Sequence, residues 1–171
     1  LKDGNLHWDK TPTKSVDQSV LSCIEKPFEH EGGIRLLQGN LGRAIIKTSA
    51  VERRHQKIEA PALVIERQED LSALFSAGQL DRDCVVVVRY QGPKTLGMPE
   101  LHKLTSILGV QQDKGYQVAL VTDGRMSGAS GKVPAAIHLV PEAKDSELLV
   151  RISDGDFILV DAIAGTLKIM G

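Results

Sequence analysis

The hydrophobic pattern divides the chain at about residue 33. Residues 1–33 are polar and are broken by Gly4, Pro12, Pro27, Gly32 and Gly33. Within them only 16–25, with Val20, Leu21 and Ile24 on one side, predicts a short helix. From Ile34 onward apolar runs recur, and strands are expected over 34–37, 44–48, 62–66, 84–90 and 117–122. The runs CVVVV and VALV are continuous rather than alternating, which is the pattern of strands covered on both faces. Between these strands, 69–77 sets Leu71, Leu74 and Phe75 at helical spacing and ends at Gly78, a C-terminal cap. Residues 99–108 have a proline at their start and Leu101, Leu104, Ile107 and Leu108 along one stripe, predicting a second helix. After Pro134, strands are expected over 135–139, 148–152, 156–162 and 166–170, with hairpin turns at 154–156 and at Ala164-Gly165. The pattern predicts an α/β domain over 34–171, with a partly parallel sheet and an antiparallel β layer, preceded by a connecting segment over 1–33.

Composition narrows the function classes. A chain of 171 residues has room for one domain with a sizeable core. The formal net charge of -1 gives no reason to expect nucleic acid or an anionic membrane as partner. No apolar run approaches the ~20 residues of a membrane helix, and no basic-then-apolar leader is visible, so a cytoplasmic location is expected. The first residue is Leu1 rather than Met, which suggests a part of something longer or a processed product. Cys23 and Cys84 lie far apart and outside any ligand-spaced pattern, so neither a zinc site nor a cluster is expected from this chain alone.

The candidate chemistry sits in loops that follow strands, where open α/β sheets bind ligands. VALVTDGRMSGASG runs from a buried strand into a glycine-rich hook carrying Asp123, Arg125, Ser127 and Ser130. The other two loops are RYQGPK leading to GMPE, and HLVPE. Glu100, at the head of the second predicted helix, suits either the helix dipole or a hard cation such as Mg²⁺. Ser127 is either turn chemistry or a reactive hydroxyl, and the latter needs a base, a metal or a positive field beside it. Asp123 suits the backbone amides of its own turn or a substrate contact. Arg89, Lys94 and Arg125 are candidate contacts for an anionic substrate, as are Ser130 and Lys132 from their place in the hook. His138 lies in an apolar strand and reads as a packed histidine. Gly131-Lys132 is not a phosphate loop, because position 126 is Met and position 133 is Val.

The ordered series RYQGPKTLGMPELHKLTS, ALVTDGRMSGASG and HLVPEA resembles the C-terminal domain of the dihydroxy-acid dehydratase and 6-phosphogluconate dehydratase family, from about Gly39 to near the C-terminus. DGRMSGASGKVPAAIHLVPEA and NLGRAIIKTSAV are more similar to the sugar-acid branch than to the amino-acid branch. The resemblance implies a layered β/β/α domain of the swivelling type, with mixed parallel and antiparallel sheets. It implies a hydro-lyase that removes water from a 2,3-dihydroxy acid, here 6-phospho-D-gluconate, to give 2-dehydro-3-deoxy-6-phospho-D-gluconate. Another sugar acid, a dihydroxy acid, or a non-catalytic binding module of the same fold are the alternatives. It implies Mg²⁺ and an iron–sulfur cluster whose ligands belong to a larger N-terminal domain outside this chain, and a homodimer. Glu100 falls where the family supplies a magnesium ligand, and Ser127 where it supplies the base for the C2 proton. Arg125 is the candidate for the field that stabilises the serine alkoxide. Arg89, Lys94, Asp123, Ser130 and Lys132 are the candidate substrate contacts. The isolated chain is expected to be half an active site and inactive.

Overall fold

A computed structural model describes residues 3–127 and 131–170 of the chain. The chain divides into a unit ending at Gly32 and a second beginning at Gly33. The described residues of the first unit carry no helix or strand. The short helix expected over 16–25 is therefore corrected to a single turn, in which Leu21 N–H donates to the Asp17 carbonyl at 3.1 Å. Val16, Val20 and Ile24 are exposed. Ten residues without a packed apolar face fall short of what sustains a helix in water.

The second unit is a closed barrel of eight strands: β1 (Ile34–Gly39), β2 (Gly42–Lys47), β3 (Lys57–Ile65), β4 (Cys84–Val88), β5 (Val118–Thr122), β6 (Ala135–Val140), β7 (Phe157–Asp161) and β8 (Thr166–Ile169). Their order around the barrel is β1-β2-β6-β5-β4-β3-β7-β8. β3, β4, β5 and β6 run parallel, and the remaining neighbours are antiparallel except β1 and β8, which close the ring at the parallel pair Gln38 and Thr166. The expected mixture of parallel and antiparallel pairing is thus present, in one closed sheet. β3 is longer than its sequence suggests. Its first half pairs with β7 and its second with β4, and Pro61, which has no N–H to donate, sits at the handover.

Two helices cover the parallel strands: α1 (Gln68–Ser76) between β3 and β4, and α2 (His102–Asp113) between β4 and β5. Alternation along β4 separates two cores. Val85 and Val87 face the barrel interior with Leu37, Ile46, Ile58, Ala119 and Val121. Cys84, Val86 and Val88 face outward beneath Leu71 of α1 and Leu104 and Leu108 of α2. Each of these fully buried leucines contributes about 1.5–3 kcal/mol by leaving water. The interior is filled by side chains, so a ligand site must lie on the rim or the outer wall. α1 ends as expected at Gly78, whose φ of +69° favours glycine. Gly78 N–H donates to the Phe75 carbonyl and Gln79 N–H to the Leu74 carbonyl, both at 3.0 Å.

Two further expectations need correction. The strand expected over 148–152 is instead a short helix, α3 (Glu147–Arg151). Its N-cap is Ser146, whose hydroxyl accepts from Leu149 N–H at 3.1 Å. Consequently 154–156 is not a hairpin turn but joins α3 to β7. There Asp154 Oδ1 accepts from Val64 N–H at 2.7 Å and Asp156 Oδ2 from Ser153 N–H at 2.8 Å. The second predicted helix begins at His102 rather than at Pro99.

Candidate functional site

The parallel order β4-β5-β6 brings the loops that follow these strands to one rim. Asp123, the first residue after β5, joins all three. It is 1% exposed, its Oδ1 accepts from Gln91 N–H and its Oδ2 from Ala143 N–H, both at 2.9 Å. The sequence allowed Asp123 to bind amides of its own turn. The partners are instead amides of the two flanking loops. Gly124 follows because a side chain there would place its Cβ 2.6 Å from that of Gln91. Glu142, from the third loop, accepts from Lys94 N–H of the first at 2.9 Å.

The strand pairing of β4 with β5 resumes beyond the loop start as an isolated parallel bridge between Glu100 and Arg125. This bridge holds Glu100 outside α2, so its carboxylate does not sit in a helical first turn. Instead Glu100 Oε1 accepts from Ser127 N–H at 2.8 Å, and Oε2 accepts from Arg125 Nη1 at 2.7 Å. Arg125 Nε also donates to the Met98 carbonyl at 2.8 Å. Tyr90 and Met98 adopt φ of +62° and +58°, a conformation that non-glycine residues rarely take and that clusters at functional loops. The structure thus brings Glu100, Arg125 and Ser127 together, with Asp123 beneath them.

Arg89, Lys94 and Lys132 are each engaged with partners outside this cluster. Arg89 donates from Nη1 to the carbonyls of Val150 and Ile152, at 2.5 and 3.3 Å, which caps the end of α3. Its Nη2 stands 3.5 Å from Glu66. Lys94 is paired with Asp145, whose carboxylate raises the ammonium pKa above its ordinary value. Lys132 is paired with Asp113 on α2. Ser130 lies outside the described residues. Sequence reasoning missed Lys47. With Met126, Ser127, Gly131, Val133, Ala135 and Ile137 it lines a small depression on the outer wall of β2 and β6. The outward phase of Arg43, Ile45 and Lys47 along β2 was the signal available for it.

A carboxylate is a hard oxygen donor, and each Glu100 oxygen keeps a second lone pair beyond its amide or guanidinium partner, so Glu100 fits one position of a magnesium site. Among the described residues no group of three or more His, Cys, Asp or Glu side chains converges, so the described part of the chain supplies at most a share of such a site. Neither cysteine belongs to such a group among the described residues. Cys84 is buried and unpaired, and burial pushes its thiol up to about 11, far from the thiolate that ligation requires. No helix among the described residues is long and apolar enough to cross a membrane.

The sequence model of the dihydroxy-acid/6-phosphogluconate dehydratase C-terminal domain matches residues 19–170. The phosphogluconate dehydratases of Pseudomonas aeruginosa and Escherichia coli K12 are each 56% identical over 170 residues, which cover 99% of this chain and 28% of theirs. The dihydroxy-acid dehydratase of Pyrobaculum calidifontis is 38% identical over 161 residues, 92% of this chain and 28% of its own. The chain spans a little over a quarter of the length of these curated relatives. It belongs to the dihydroxy-acid/6-phosphogluconate dehydratase family, and its sequence corresponds to the C-terminal domain of that family.

Proposed function

We propose that this chain is the C-terminal part of a 6-phosphogluconate dehydratase that converts 6-phospho-D-gluconate and releases water to give 2-dehydro-3-deoxy-6-phospho-D-gluconate, a step of the Entner–Doudoroff route. The observation that carries the reading is the Glu100 carboxylate, which joins the Ser127 amide to the Arg125 guanidinium at one strand-end rim. The identity of 56% to phosphogluconate dehydratases, against 38% to the dihydroxy-acid dehydratase, favours the sugar-acid substrate. An N-terminal domain completes the site, supplies the cluster ligands and the remaining metal ligands, and the whole enzyme is a cytoplasmic homodimer. We read the barrel with its α1 and α2 layer as a domain of the swivelling β/β/α kind.

The chain's own residues act as follows. The C2–H beside a carboxylate is a weak acid, and Ser127 Oγ is the base that receives its proton. Serine serves as base only where positive charge lowers the cost of its alkoxide, and Arg125, bound to the same Glu100 carboxylate as the Ser127 amide, is this chain's cation for that role, its charge left uncompensated where Glu100 turns to a metal. Glu100 fixes the Ser127 backbone and would ligate Mg²⁺, which when bound supplies Lewis-acid stabilisation of the charge developing on the substrate carboxylate. The C3–O bond breaks and the departing hydroxide takes a proton, so that with the proton removed from C2 one water is lost overall, and the resulting enol tautomerises to the 2-keto acid. Among the described residues no cysteine belongs to a group of ligating side chains that would hold the cluster.

Turnover of 6-phosphogluconate and of 2,3-dihydroxyisovalerate by the full-length protein tests the substrate. Preference for the phosphorylated acid is expected, and equal or reversed preference overturns the assignment. Ser127→Ala in the same protein is expected to retain metal and cluster content and to lose turnover. Retained turnover removes Ser127 from the role of base.

A further inference from the structure

The four cations chosen from sequence are each turned to another partner: Arg125 to Glu100, Arg89 to Glu66 and the α3 carbonyls, Lys94 to Asp145 and Lys132 to Asp113. Two other cations on the outer wall are not. Lys47 and Arg43 make no ion pair or side-chain hydrogen bond among the described residues. Both project outward from β2, on either side of outward-facing Ile45. Four residues of strand separate their Cα atoms by about 13 Å.

Each stands in a depression of its own. Lys47 lines the one that holds Ser127, over an apolar floor of Met126, Val133, Ala135 and Ile137. Arg43 lines a second with Leu36, Ile45, His138 and Val140. Ile45 and Ile137 are paired across β2 and β6, so the two depressions adjoin at that rung. The register of this pair also slips. Arg43 faces Val140 and Ile45 faces Ile137, so β6 spends one extra residue there. His138 carries the distortion at φ +54°, and its N–H donates to the Gly124 carbonyl at 2.9 Å. Bulges of this kind next to a site re-aim neighbouring side chains. Gly131, which also lines the Lys47 depression, is closely packed. A Cβ at Gly131 would stand 2.9 Å from that of Ala50, in the segment that follows Lys47.

We infer that the outer wall of β2 and β6 is a two-ended anion groove, in which Lys47 binds the carboxylate of an extended sugar acid beside Ser127 and Arg43 binds the phosphate at its far end. The two flexible side chains lean inward over the Ile45–Ile137 rung to span a six-carbon chain charged at both ends. Arg suits the phosphate because its fork matches two phosphate oxygens, and Lys suits a compact carboxylate contact. The inference rests on the proposed substrate and deepens it.

Calorimetric binding of 6-phosphogluconate and of inorganic phosphate to the full-length, metal-loaded Ser127→Ala protein, which does not consume the substrate, tests it, with Arg43→Gln, Arg43→Lys and Lys47→Met added singly. Loss of one charge-assisted contact weakens binding about tenfold or more. Arg43→Gln is expected to weaken both 6-phosphogluconate and inorganic phosphate to that extent, and Arg43→Lys to restore part of each. Lys47→Met is expected to weaken 6-phosphogluconate and leave inorganic phosphate within about twofold. Unchanged binding in either single variant overturns the groove. So does a uniform loss in all three variants accompanied by a fall in melting temperature, which marks a structural role. This pattern of binding, together with a protein of unaltered Ser127 that does not dehydrate 6-phosphogluconate, upholds the groove and defeats the proposed function. No binding of 6-phosphogluconate at all defeats the groove.

Discussion

Glu100 Oε1 accepts the backbone amide of Ser127 at 2.8 Å, although the two residues lie 27 positions apart on the loops of different strands. The contact fixes the serine backbone by a carboxylate whose second oxygen already holds Arg125. Glu100→Gln keeps an acceptor for the Ser127 amide and removes the charge. Both partners of the ion pair are partly exposed, so the substitution is expected to cost at most about 1 kcal/mol of stability. In the full-length protein, apparent Mg²⁺ affinity is expected to fall at least tenfold. Titration of activity with Mg²⁺, alongside a thermal melt, checks both. Unchanged Mg²⁺ dependence removes Glu100 from the metal site.

Asp123 is expected to be the least replaceable residue of the rim. Both its oxygens are acceptors for buried amides, from Gln91 and Ala143. Asn offers one acceptor and turns an N–H₂ toward the other amide, leaving that donor buried without a partner. The cost of such a group is about 1–3 kcal/mol. Urea denaturation of Asp123→Asn is expected to show a loss of that size together with lost turnover. A stability within a few tenths of a kcal/mol of wild type contradicts the clamp.

Much of this architecture is legible in the residues. CVVVV and VALVT announce strands covered on both faces, and β4 and β5 are buried at every position. Gly78 announces the end of α1. GMPE and TDGRMSG announce the loops that meet. The misread segments differ in cause. ELLVR is too short for its period to separate helix from strand, and its local signs, the Ser146 cap and the Glu147–Arg151 pair, are weak ones. The first half of β3 holds Glu59 and Pro61, and only β7, about a hundred residues later, makes a strand of it. The candidate cations were chosen by charge and loop position, whereas their acids, Asp113, Asp145 and Glu66, come from other elements. Lys47 was hidden because a lysine ending a strand reads as ordinary surface.

His55 is expected to make the fold acid-sensitive. It is 8% exposed, and its Nε2 is buried without a hydrogen-bond partner. Burial, and then the charge of Arg54, lower its pKa below the ordinary 6.5. In the unfolded chain the imidazole takes a proton below about pH 6.5, whereas in the folded chain it resists to lower pH. The unfolded state therefore binds more protons in that window, and stability falls as the pH drops through it. Melting temperatures between pH 7.5 and 5.5 are expected to fall less steeply for His55→Gln than for wild type. Parallel curves refute the role.

Cys84 is expected to resist alkylation. With its thiol raised to about 11 by burial, roughly one molecule in a thousand carries the reactive thiolate at pH 8. Peptide mapping after iodoacetamide treatment of the native protein is expected to find Cys84 unmodified, and modified once denaturant is added. Labelling of Cys84 under native conditions contradicts the packing beneath α1 and α2.

The knot at Asp123 bears on how the family's specificity can be altered. One carboxylate serves amides from the segments on either side of its own, so none of the three is an independent part. Transplanting a single segment from a relative with another substrate would swap in a backbone whose donors miss the anchor. Redesign therefore has to move all three as one cassette, anchor included.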